Sequence, residues 1–131
     1  MTLRAKNGLP PRHGVAKDRL YLLKPDFAAD GIKQFCSECA MVEGMLSFYP
    51  KLRESLDVKY IGFSKPRPEI VAEIGPEHQS SPCLVIADAK RAAKAPPSVK
   101  PQTSNGHVFV NDPYQVCDYL AHTYGTGVVR R

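Results

Sequence analysis

Residues 81–88, Ser-Pro-Cys-Leu-Val-Ile-Ala-Asp, form the most hydrophobic short run of the chain. Their apolar residues are consecutive rather than alternating, which suits a central strand covered on both faces. A fold built around such a strand needs layers above and below it, and the flanking patterns supply them.

Arg19–Lys24 puts Leu20 and Leu22 on one face and Tyr21 and Leu23 on the other, a second buried strand. Residues 25–35 read as a loop, opened by Pro25 and punctuated by Gly31. From Cys36 the period becomes helical, with Cys39, Val42, Met45, Leu46 and Tyr49 recurring at three- and four-residue intervals. Pro50 weakens the end of that helix, because proline disfavours helical geometry in the residue before it. Residues 57–63 alternate again as a strand, and 67–75 place Pro68 near a helix start and Gly75 just past its end. Residues 89–106 are poor in large apolar residues and rich in Pro, Ala and Lys. They read as a long exposed connection, with Ser104-Asn105-Gly106 tightening the turn into a strand at 107–110. The last helix is well signalled: Asp112 suits the N-cap, Pro113 the first helical position and Gln115 a capping box. Val116, Tyr119, Leu120 and Tyr124 make its buried stripe, and Gly125 stops it.

This order, βαβαββα, predicts an α/β domain over residues 19–125, with a four-stranded mixed sheet and helices on both faces. A disordered basic tail is expected over residues 1–18 and a C-terminal tail over 126–131. Residues 1–16 are further expected to be a dispensable leader.

The net charge of +5 is unevenly spread. Residues 1–19, 88–106 and the final Arg130-Arg131 hold the basic excess, and the remainder of the chain is mildly acidic. No aromatic residues are interleaved with the lysines to stack on bases, which excludes specific nucleic-acid recognition. The longest apolar stretches are too short to cross a membrane. Four cysteines are too few for a disulfide scaffold of this length, which points to a reducing cytoplasmic setting.

Those cysteines carry the chemistry. Cys36-Ser-Glu-Cys39 opens the first helix. A thiol at a helix start faces unpaired N–H groups and the positive end of the dipole, and the thiolate is the nucleophile. Cys36 is the expected nucleophile toward a protein or small-molecule disulfide. Cys39, one turn on, is the expected resolving thiol. Glu38 between them opposes thiolate formation. The Ser81-Pro82 bond is a candidate for cis geometry, since a tertiary amide lowers the cis penalty. Zinc would need two further ligands; His78, His107 and His122 are scattered, so no metal and no cofactor is expected. Cys83 reads as a core residue or as a third thiol near the pair, and Cys117 as packing.

The chain resembles the thioredoxin superfamily, nearest to the glutaredoxin-like domain that also forms the N-terminal half of glutathione transferases. Cys36-Ser-Glu-Cys39, Ser81-Pro82 and the stretch from Val108 to Gly125 carry the likeness. With Lys65-Pro66-Arg67-Pro68-Glu69 they also look like a small bacterial family of unassigned function. The resemblance implies a thioredoxin-like fold, a cis-proline at Pro82 beside the cysteines, and substrate backbone pairing at Ser81 and Pro82. Relatives that bind glutathione place a serine after the acidic residue of the last helix start. Here Asp112 is followed by Pro113, which has neither hydroxyl nor N–H and argues against glutathione. Two functions follow: a thiol–disulfide oxidoreductase, or a non-catalytic adaptor on the same fold.

Overall fold

The computed structural model describes residues 16–131. Along the chain, β1 (Arg19–Leu23) is followed by β2 (Phe27–Ala29), β3 (Ile32–Gln34), α1 (Ser37–Phe48), α2 (Pro50–Ser55) and β4 (Asp57–Ile61). Then come α3 (Pro68–Ile74), β5 (Cys83–Ile86), α4 (Ala89–Ala93), β6 (Gln102–Ser104), β7 (His107–Val110) and α5 (Pro113–Tyr124). The main sheet runs β4-β1-β5-β7-β6. β1 is parallel to β4 and antiparallel to β5; β7 is antiparallel to both β5 and β6. The architecture is therefore α/β with a five-stranded mixed sheet, one strand more than the sequence pattern gave.

The extra strand is β6, inside the stretch expected to be an exposed connection. Asn105 and Gly106 both adopt positive φ (52° and 76°), the conformation that lets a two-residue turn fold a polar strand back on its neighbour. The same stretch contains α4, whose N-cap Asp88 accepts from the Lys90 amide at 2.9 Å, and it buries Ala92 and Val99. A second difference lies in the lead-in loop. Asp30 and Gly31 also have positive φ (56° and 73°), and they close the β2–β3 hairpin. Pro50 does not merely end α1: it starts α2, as proline does readily at a first helical position. Tyr49, placed in the helical period of α1, is instead its C-cap and exposed.

β5 is buried at all four positions, so both faces of the sheet are covered at its centre. Side chains alternate along β1. The Tyr21 hydroxyl and the Arg19 guanidinium both reach Glu73 of α3 (2.6 and 2.7 Å), so their face is the α3 face. Leu20 and Leu22 point the other way, toward α1 and α5, which pack on each other. The N-cap and the glycine stop of α5 are as read from the sequence, but Gln115 does not complete a capping box: its side chain accepts from the Lys100 amide at 2.7 Å. Asp112 accepts from the Gln115 amide at 3.1 Å, and Gly125 takes the left-handed conformation at φ 78°.

Asp18 ties the start of β1 to the helical layer. Its carboxylate is fully buried and accepts from the Ala87 amide (2.8 Å), Arg91 (2.6 Å), and the hydroxyls of Tyr119 (2.9 Å) and Tyr124 (2.8 Å). Burial, then the Asp18 charge, pushes the Tyr119 phenol up to about 12. Of the tail expected over residues 1–18, residues 1–15 lie outside the described residues, while Asp18 is a core residue and Lys17 donates to the Glu54 carbonyl at 2.8 Å. Residues 126–131 have no regular structure, yet the Gly127 amide donates to the Tyr49 hydroxyl (3.2 Å) and Arg131 pairs with Asp118 (2.8 Å).

Candidate functional site

The first turn of α1 explains why the two cysteines meet. Cys36 is the N-cap, in extended geometry (φ −77°, ψ 115°), and its sulfur accepts the Cys39 amide at 3.1 Å. Serine, threonine or aspartate normally offers an oxygen there; here sulfur takes the orphan N–H. Cys36 stays partly exposed, whereas Cys39 on the next turn is buried. Burial, together with the hydrogen bond involving Cys36, pushes the Cys39 thiol up to about 11. Both cysteines are free thiols.

Ser81 joins the pair. The Cys36 sulfur lies 3.9 Å from the Ser81 carbonyl oxygen, and the Cys39 sulfur lies 3.4 Å from the Ser81 hydroxyl. That hydroxyl donates to the Tyr21 carbonyl at 2.9 Å, which anchors the loop to β1. The Ser81-Pro82 peptide is cis and Pro82 is buried. Residues 36, 39 and 81, nominated separately from the sequence, thus form one contact cluster with Pro82 adjoining it.

The approach to Ser81 is held by Arg67. Its guanidinium is almost completely buried and donates to the carbonyls of Phe63 (2.9 and 2.7 Å) and Gln79 (2.7 Å). The Arg67 amide donates to the Gln79 side chain at 2.7 Å. The Lys65–Glu69 motif is therefore a clip that fixes the segment two residues before Ser81. Its signal in the sequence is an arginine between two prolines, which cannot compete for those carbonyls.

Cys83 does not join the cluster. It stands opposite Tyr21 in the antiparallel β1–β5 register and shares its face of the sheet, the α3 side. It is fully buried, and burial pushes its thiol up to about 12. Cys117 is likewise sealed within α5, its thiol raised to about 11 by burial. Among the described residues there is no group of three or more His, Cys, Asp or Glu side chains able to hold a metal. No helix among them is long and apolar enough to cross a membrane.

Beside Cys36 lies a pocket of ≈ 350 Å³. It is walled by Leu22, Leu23, Pro25, Phe35, Ala40 and Tyr60, and both cysteines open into it. Its place, at the carboxyl ends of the parallel strands β1 and β4, is where open α/β sheets leave a crevice. Sequence reasoning missed its walls: it reads residues 57–63, with Tyr60, only as a strand and Phe35 as part of a loop. The usable signal was the Asp30-Gly31 pair, which predicts a hairpin and hence a fixed position for Phe35.

Residues 17–128 match a family model described as a protein of unknown function (DUF3088). The chain belongs to this family. The match covers the strand, the Cys36–Cys39 turn, the Arg67 clip and α5 together, and it agrees with the resemblance to a family of unassigned function. No curated protein and no solved structure matches the chain.

Proposed function

We propose that this protein is a thiol–disulfide oxidoreductase on a thioredoxin-like fold. The observation that carries the proposal is Cys36, a partly exposed residue whose sulfur is held at a helix start by the Cys39 amide 3.1 Å away, with Cys39 itself buried one turn on. An accessible leading thiol and a shielded second thiol one turn later suit attack followed by resolution. The strand order β4-β1-β5-β7, with β1 parallel to β4 and antiparallel to β5, supports the fold assignment.

In the forward direction the Cys36 thiolate attacks one sulfur of a disulfide. The substrate S–S bond breaks, and the first thiolate leaves and takes up a proton. Cys39 then loses its proton and attacks the Cys36 sulfur, forming the Cys36–Cys39 disulfide. The second substrate thiolate departs with a proton. Two electrons pass from the cysteine pair to the substrate, and an external dithiol restores the reduced protein for another round. Ser81, whose hydroxyl contacts the Cys39 sulfur, positions the resolving thiol, while Ser81 and Pro82 border the groove for the substrate. Asp112 spends its carboxylate on capping α5, in keeping with a substrate other than glutathione.

The test is alkylation and exchange in the reduced full-length protein. Cys36 should alkylate at neutral pH about tenfold or more faster than a free thiol. Cys36→Ser should abolish disulfide reduction, and Cys39→Ser should stop at a mixed disulfide visible by mass spectrometry. Alkylation of Cys36 at the free-thiol rate, with no mixed disulfide in Cys39→Ser, would sink the assignment.

A further inference from the structure

The pocket beside Cys36 is more selective than exchange chemistry alone requires. Its walls are hydrocarbon apart from the two sulfurs and one polar edge, where Glu43 and Tyr60 meet. The Tyr60 hydroxyl donates to Glu43 at 2.6 Å, and Arg53 donates to the Tyr60 hydroxyl at 2.9 Å and pairs with Glu43. The cation at this edge is therefore already neutralised by a carboxylate that lines the pocket. Among the described residues, no lysine, arginine or histidine lines it. An anionic ligand would find a carboxylate, an occupied guanidinium and apolar walls, and would lose hydration without gaining a partner. The volume, ≈ 350 Å³, sits at the lower end of small-molecule pockets, enough for one ring or a short branched chain.

From this we infer that the physiological oxidant is a low-molecular-weight disulfide whose substituent is apolar and uncharged, aromatic or aliphatic, and seats in the pocket as Cys36 attacks the adjoining sulfur. The inference rests on the thiol–disulfide assignment and adds the substrate class. The electron balance is that given above. One substituent occupies the pocket in the mixed disulfide and is released as its thiol when Cys39 closes the ring.

The test uses neutral dipyridyl disulfide, dianionic dithiobis(nitrobenzoate) and glutathione disulfide. Each rate with the reduced protein is divided by the rate of the same probe with a free small thiol, which removes intrinsic reactivity. The neutral probe should be favoured over both anions by about tenfold or more, the scale expected from burying a few carbon atoms. Ala40→Phe fills the pocket from an exposed position of α1 and should bring that ratio close to one. Glu43→Gln leaves the Arg53 charge uncompensated and should raise the dithiobis(nitrobenzoate) rate several-fold. Equal normalised rates for all three probes in the parent protein, or a ratio untouched by both substitutions, overturns the substrate class while leaving the redox assignment intact. If no probe reacts faster with the protein than with the free thiol, the redox assignment itself falls.

Discussion

Two polar clusters sit at opposite ends of β1, and they are built on opposite terms. At its start, the Asp18 carboxylate is fully buried and surrounded by an amide, a guanidinium and two phenols. At its end, the Cys36, Cys39 and Ser81 group has one cysteine partly exposed and both cysteines lining a pocket. A closed set of hydrogen bonds around a buried charge locks one arrangement in place. A cluster with an open side has a group left over for chemistry. Perturbed or buried polar groups alone would nominate both; access separates them.

Breaking the closed cluster should have the largest effect. Asp18→Ala leaves Arg91, the buried Tyr119 phenol and the half-buried Tyr124 phenol without their acceptor, and should cost about 3–5 kcal/mol of folding stability, measured by denaturant unfolding. A loss under about 1 kcal/mol would mean that water or a neighbour takes over, and that the two ends of β1 differ less than they look. The open cluster should instead respond to pH. Burial pushes the Cys39 thiol up to about 11, so its thiolate fraction at neutral pH is small and grows about tenfold per pH unit. With Cys36 already joined to a disulfide probe, ring closure by Cys39 should accelerate about tenfold per unit between about pH 7 and pH 9, read by release of the second thiol. A flat profile would show that Cys39 is not the resolving group. The smallest effect is expected at Gly125, which closes the helix that delivers Tyr119 and Tyr124 to Asp18. Its φ of 78° disfavours any side chain although a Cβ there meets open space. Gly125→Ala should therefore cost about 1 kcal/mol and leave exchange at Cys36 unchanged.

The comparison also shows which parts of the molecule were legible beforehand. Elements with strong local chemistry were readable: the capped α5, the start of α1 at Cys36, and the consecutive apolar run of β5. Cys36, Cys39 and Ser81 each carry their own local mark in the sequence, and the structure brings them into contact. Polar pieces stabilised by partners far along the chain were not readable. β6 has the sequence Gln-Thr-Ser and no apolar face, and it is a strand only because β7 supplies its hydrogen bonds. Asp18 looked like part of a basic tail because its partners lie about 70 to 106 residues away. The pocket was hidden for the same reason: Phe35 comes from the β3–α1 connection, Ala40 from α1 and Tyr60 from β4, and they meet only once β1 and β4 pair.

The sulfur cap on α1 has one further consequence. A helix normally hands its first loose amide to an inert oxygen; this one hands it to a sulfur. Under the exchange proposed above, each covalent event at residue 36 would be felt in the opening turn of α1, and the backbone there would carry a record of the oxidation state that a partner protein could read without touching either cysteine.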